Sequence, residues 1–125
     1  MTENEISYEV RGAVFEVYNE LGPGLLESVY QAALRQEFLE RKLSFAEEVS
    51  VPVIYKGKKL KQSYRIDFLV ENKLVVELKS VEVLLPVHHK QVLTYLKLIN
   101  CKLGLLVNFN CNDMAKSIHR KVNKL

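Results

Sequence analysis

Tryptophan is absent from this chain, and cysteine occurs only twice, proline three times and glycine five times in 125 residues. Two cysteines, Cys101 and Cys111, cannot build a disulfide framework and lack metal-ligand spacing. They read as reduced thiols of a cytosolic protein, with a Cys101–Cys111 disulfide as the lesser alternative. No apolar run approaches the roughly 20 residues of a membrane span, and the acidic start Met1-Thr2-Glu3-Asn4-Glu5 is no secretory signal. No linker, repeat or low-complexity stretch divides the chain, so residues 1–125 read as one domain. A large charge excess is missing too. The net charge of +3 does not by itself establish a nucleic-acid partner.

What is present is an ordinary soluble composition, 48% apolar and 26% charged. The positive charge is unevenly placed. Lys56, Lys58, Lys59 and Lys61 surround Gly57, and His119, Arg120, Lys121 and Lys124 crowd the C-terminus. Either cluster suits phosphates, and either equally suits a solvated turn or tail.

The most informative stretch is Arg65 to Ser80. Apolar Ile66, Phe68 and Val70 alternate with Arg65, Asp67 and Leu69, and Leu74, Val76 and Leu78 alternate with Val75, Glu77 and Lys79. A period of two makes both segments strands and sends Glu77 and Lys79 to one face. A three-residue loop, Glu71-Asn72-Lys73, pairs Val70 with Leu74, Phe68 with Val76 and Ile66 with Leu78. It also sets Asp67 opposite Glu77. A two-residue loop would mix the faces and is rejected. Facing carboxylates repel unless a cation lies between them or one is protonated. A hard divalent cation, Mg²⁺ first, suits such a pair, with Lys79 aimed at whatever the ion holds. From spacing alone, a surface hairpin carrying Asp, Glu and Lys outward, with a Lys79–Glu77 contact, fits as well.

Helical spacing marks about Glu5–Leu21, through Ile6, Val10, Ala13, Val14, Val17 and Leu21. It also marks about Leu25–Lys42, through Leu26, Val29, Tyr30, Ala33, Leu34 and Phe38. Gly22-Pro23-Gly24 reverses the chain between them. Strands follow at about Ala46–Tyr55, where Pro52 points to a sheet edge, then up to Val70, and at Leu74–Lys79. A helix over about Val87–Asn100, a buried strand over Leu103–Phe109 and a final helix over about Met114–Val122 complete the order α-α-β-β-β-α-β-α. The fold class is therefore α/β, a mixed four-stranded sheet flanked by helices. His88, Gln91 and Tyr95 share one face of the third helix, at i, i+3 and i+7.

Asp67, Glu77-Leu78-Lys79, Gln91 and Tyr95 together resemble the PD-(D/E)xK nuclease pattern, and the Gln-x-x-x-Tyr helix resembles its RecB-like branch. Gly24-Leu25-Leu26-Glu27-Ser28-Val29-Tyr30 resembles the motif for which the GxxExxY family is named. Arg65–Val70, Val76–Lys79, His88 ahead of Gln91, and Gly104–Phe109 fit that family too. The resemblance covers roughly Val10 to Arg120. It implies a restriction-endonuclease-like core and a Mg²⁺ or Mn²⁺ site on Asp67 and Glu77, with Glu27 as an added acid and Lys79 as catalytic amine. Gln91 and Tyr95 complete the catalytic set. It further implies metal-dependent hydrolysis of phosphodiesters, DNA first, with Lys56, Lys58, Lys59, Lys61 and His88 as nucleic-acid contacts. The alternative is a catalytically inactive nucleic-acid- or protein-binding module that keeps the fold. The chain departs from many RecB-like nucleases in carrying Tyr64, not Gly, three residues before Asp67. A domain of this size has little surface for gripping a duplex, which suggests a homodimer or a partner protein.

Overall fold

A computed structural model describes all residues, 1–125. Helix α1, Glu3–Leu21, starts on a capping box in which the Thr2 hydroxyl and the Glu5 carboxylate each accept the other's backbone N–H. It ends at Gly22, whose φ of +69° is open to glycine. Helix α2 spans Glu27–Glu40. Strands β1 (Phe45–Tyr55), β2 (Lys58–Val70) and β3 (Leu74–Lys79) form a meander. Helix α3 (Pro86–Ile99) then crosses to β4 (Leu103–Asn108), which lies parallel to β3. A short 3-10 turn, Met114–Lys116, leads to β5 (Ile118–Val122), antiparallel to β4.

The sheet order is β1-β2-β3-β4-β5. It has five strands where the sequence reading has four, and the final helix expected over Met114–Val122 is that short turn followed by β5. The reason is local. Met114, Ile118 and Val122 stand at even spacings, so they satisfy a helical period and a strand period alike. The open edge of β4 decides the outcome, because its backbone groups need partners. Lysine and arginine on the new edge strand then discourage further pairing.

α1 and α2 cover one face of the sheet, burying Ile6, Val10, Val14, Val17, Tyr30, Leu34 and Phe38 against Phe68, Val70, Val76, Leu105 and Val107. Leu26 and Val29, expected on the apolar stripe of α2, lie outside because the helix begins only at Glu27 and turns Tyr30 inward; Leu21, expected on that of α1, is exposed too. α3 covers the other face with Val92, Tyr95 and Leu96 against Ile66, Val75 and Leu106. This contact is close at Gly104, where an added Cβ would lie 2.8 Å from Val92 Cγ1 and 3.3 Å from Leu96 Cδ2. Gly104→Ala is expected to cost about 1–3 kcal/mol through overpacking, read as a lowered urea midpoint at unchanged m-value.

β1 lies at the sheet edge, as Pro52 suggested. The β1–β2 turn, Lys56-Gly57, has both φ values positive, the two-residue hairpin geometry that matches strand twist. The β2–β3 loop has the three residues anticipated, and Val70 and Phe68 pair with Leu74 and Val76.

Candidate metal and catalytic site

The β2–β3 ladder stops at Phe68 and Val76, one residue short of the carboxylates. Beyond that point side chains replace backbone. The Asp67 N–H donates to Glu77 Oε1 at 2.8 Å, and the Leu78 N–H donates to Asp67 Oδ2 at 2.8 Å. Each carboxyl group thus fills a ladder position and keeps a second oxygen. Glu48, the residue of β1 that falls opposite Asp67, takes φ +51°. The face of β2 also changes here. Phe68 and Val70 point toward α1 and α2, whereas Ile66 packs with Val75, Val92 and Tyr95 under α3. The anticipated Ile66–Leu78 layer is therefore absent, because insertion of the two carboxyls parts the strands. Asp67 and Glu77 do face each other, as expected.

Glu77 is only 4% exposed, so this is no surface hairpin. Burial first, then the neighbouring Asp67, push its carboxyl up to about 8. Burial also raises Asp67, against the opposing pull of the Leu78 N–H, Lys79, Arg65 and a hydrogen bond with Glu77. Burial and mutual repulsion thus both favour keeping a proton at the pair. Glu27 opens α2, where a helix N-terminus favours an acid. Its carboxyl is raised too, by burial and then by Asp67. Lys79 counteracts the rise at Asp67, Glu77 and Glu27 alike, so its ammonium lies within Coulombic reach of all three. It joins none of the four ion pairs, which are Arg35–Glu47, Arg41–Glu9, Arg41–Glu37 and Arg65–Glu48. A Lys79–Glu77 contact is not formed.

Tyr95 reaches the same place from α3. Burial and then Glu77 and Asp67 push its phenol up to about 12, so it stays a neutral hydrogen-bond donor. Tyr64 packs on the Tyr95 ring at 5.5 Å. It also lines a depression of about 170 Å³ with Val87, Lys90, Gln91 and Thr94. Gln91, one turn before Tyr95, lines this depression, whose walls include none of the carboxylates. His88 serves its own helix through one ring nitrogen, Nδ1, which accepts the Leu85 N–H at 3.0 Å and holds the start of α3. Lys56, Lys58, Lys59 and Lys61 lie away from the carboxylates, on the exposed β1–β2 hairpin.

No three carboxylate, histidine or cysteine side chains converge as a ready-made metal centre. Two carboxyls, each with an oxygen not committed to the backbone, are what Mg²⁺ accepts, since it keeps several waters. A proton kept where like charges meet is what a cation would replace. The donor set fits.

The Gly24-x-x-Glu27-x-x-Tyr30 spacing now has a physical basis. Gly24 takes φ +92°. Tyr30 is fully buried and stacks on Phe109 at 4.3 Å. Its hydroxyl donates to Gly22 O at 2.5 Å and accepts the Leu25 N–H at 3.1 Å, fixing the loop that delivers Glu27. Ser80, just after Lys79, donates to Leu25 O at 2.6 Å and ties that loop to the end of β3. Tyr30→Phe is expected to leave the Leu25 N–H unpaired and cost about 1–2 kcal/mol, seen as a thermal midpoint lower by several degrees.

Asn108 escaped the sequence reading. It is buried beside Lys79 in the parallel ladder; its Oδ1 accepts the Val81 N–H at 3.0 Å and its Nδ2 donates to Val81 O at 2.9 Å. It clamps the segment leaving the site. The available signal was a lone amide ending the apolar run Leu103–Val107.

No curated protein and no solved structure gives a significant match to this chain. A family profile described as the PD-(D/E)XK nuclease superfamily matches residues 4–121, nearly the whole length and all the residues of the site. With an α/β core that sets Asp67, Glu77 and Lys79 together at the parted strands, the chain belongs to the PD-(D/E)XK nuclease superfamily.

Proposed function

We propose that this protein is a divalent-metal-dependent nuclease that hydrolyses phosphodiester bonds in DNA. The observation that carries the reading is the Asp67–Glu77 pair, buried Glu77 and half-buried Asp67 held by each other's strand, with an ammonium nearby that no ion pair occupies. Asp67 and Glu77 would hold Mg²⁺ or Mn²⁺, with Glu27 at the open side as a further ligand for the ion or its water. When bound, the ion supplies a water of lowered pKa and polarises a phosphoryl oxygen.

The remaining work falls to side chains. Glu77 would serve as a ligand in its ionised form. Lys79, two residues on along β3, orients the attacking water or neutralises charge that develops on the phosphoryl oxygens. The Tyr95 hydroxyl, a neutral donor close to both carboxyls, would orient the pair or the water the ion holds. Gln91, in the depression beside Tyr64, would offer its amide to the substrate. The Gln91-x-x-x-Tyr95 helix and the Gly24-x-x-Glu27-x-x-Tyr30 loop support assigning the protein to the RecB-like branch and the GxxExxY family.

Labelled linear duplex, circular duplex and single-stranded DNA, incubated with Mg²⁺ or Mn²⁺, test it. Products that vanish on chelation support hydrolysis, and nicking of circles separates internal from terminal cleavage. Intact substrates in every lane, under conditions where calorimetry shows the metal bound, would replace the nuclease with an inactive binding module.

A further inference from the structure

Only the last three residues of β2, Phe68–Val70, pair with β3, yet the strand begins at Lys58. Residues 58–65 are all exposed, and they pair only with the outer part of β1, which is the sheet edge. Beyond the Val51–Tyr64 pair, which packs under α3 with Val92 and Tyr95, the hairpin leaves the sheet as a two-stranded ribbon that is mostly exposed on both faces. Such a ribbon has marginal stability by itself. Counted from Asp67 to the Gly57 turn, it reaches on the order of 30 Å from the carboxylate pair.

Its charge is one-sided. From Val49 to Ile66 there are five cations, Lys56, Lys58, Lys59, Lys61 and Arg65, and no acid, against a net charge of +3 for the whole chain. Arg65 pairs with Glu48 at 3.8 Å, but none of the four lysines is in an ion pair. Adjacent strand residues point to opposite faces, so Lys58 and Lys59 present charge on both sides of the ribbon. Its two aromatic rings stand at opposite ends: Tyr64 lies against Tyr95 at the base, and Tyr55 lies beside the turn with the Lys56 ammonium 5.4 Å from its ring centroid.

From this we infer that the β1–β2 ribbon is a duplex-gripping arm that lies in the major groove of double-stranded nucleic acid, with a phosphate wall on each face. The inference rests on nucleic acid being the substrate, and it assigns the double-stranded form. A two-stranded ribbon fits the roughly 12 Å width of the major groove. Lysines on both faces match two backbones. A platform tracking one strand needs a row of rings for successive bases, whereas here lysines fill the stretch between Tyr55 and Tyr64. The ribbon's reach is close to the ~34 Å of one duplex turn, so the arm contacts about one turn beside the phosphate held at Asp67.

The test is fluorescence anisotropy with a labelled duplex of about 25 base pairs, two turns or more, and the same strand alone, in chelator across a salt series. Wild-type protein is compared with the triple variant Lys58→Ser, Lys59→Ser, Lys61→Ser. A charge-matched control carries Lys116→Ser, Lys121→Ser and Lys124→Ser around the opposite sheet edge. The first variant should lose roughly tenfold or more in duplex affinity, and its log–log salt slope should fall by about 2–3. Single-strand affinity and the control should change less than ~3-fold. Equal loss on duplex and single strand, equal loss in the control, or no loss at all would overturn the arm. Binding without metal keeps this separate from hydrolysis. Duplex held through the ribbon but never cut removes the nuclease and retains the arm. Cleavage with duplex binding unchanged in the triple variant removes the arm and retains the nuclease.

Discussion

Asp67→Asn, Glu77→Gln and Lys79→Ala should each lower DNA cleavage by about 10²–10³ or more, the loss typical when one preorganised electrostatic group is removed. The three should then divide on metal binding. Asp67→Asn and Glu77→Gln remove a ligand charge and are expected to weaken Mn²⁺ affinity, measured by calorimetry. Lys79→Ala should leave it intact or slightly tighter, because a nearby positive charge is gone. The two amide variants keep the fold, because each new side chain retains a carbonyl oxygen. In Asp67→Asn that oxygen still accepts the Leu78 N–H, and in Glu77→Gln it still accepts the Asp67 N–H. Glu27→Gln should fall between, since Glu27 stands at the open side and no backbone bond depends on it. If Lys79→Ala cleaves at the wild-type rate, the lysine is a bystander on a strand that happens to end there.

The second large effect is on stability, and its sign follows from burial. Glu77 carries a folded-state value of about 8 against an ordinary 4.5. Between those values the folded protein binds more protons than the unfolded chain, so stability is full below about pH 4.5 and is lost as pH rises through 8. The loss is on the order of 4 kcal/mol, or a Tm lower by ~10 °C at pH 8.5 than at pH 5 in chelator. Asp67 and Glu27, also raised, act in the same direction. Glu77→Gln should flatten this dependence and melt above wild type at pH 8.5, because its amide does the work of the proton. Mn²⁺ should restore the wild type at pH 8.5 and do little at pH 5. A wild type whose Tm is level from pH 5 to 8.5 would mean that the pair is solvated and carries no stored repulsion.

Much of this site was legible because charge interrupts apolar alternation. In Ile66–Val70 and Leu74–Leu78 every residue but Asp67 and Glu77 is apolar, so those two and the following Lys79 stand out, and the three-residue loop follows from matching apolar partners. What the alternation does not carry is the substitution of side chain for backbone. A carboxylate that accepts a strand N–H parts the ladder and turns Ile66 to the opposite face, and no local pattern encodes that. The final segment failed for a different reason. Met114, Ile118 and Val122 fit both periods, and the deciding partner is the edge of β4, which the segment's own pattern does not encode. Glu27 was visible only through its motif, for an acid in a first helical turn is ordinary. Its meaning comes from Tyr30 and Ser80, which pin the loop from either side. His88 illustrates the reverse case: it shares a face with Gln91 and Tyr95, yet one of its ring nitrogens is committed to the start of α3.

The most direct measurement is a calorimetric Mn²⁺ titration at pH 7 in two buffers of different ionisation enthalpy, with Asp67→Asn alongside. A pair that trades a proton for a cation predicts release of about one proton per ion bound, affinity that rises with pH, and severe weakening in Asp67→Asn. Binding that releases no proton, or that survives unchanged in Asp67→Asn, would contradict a metal centre on Asp67 and Glu77.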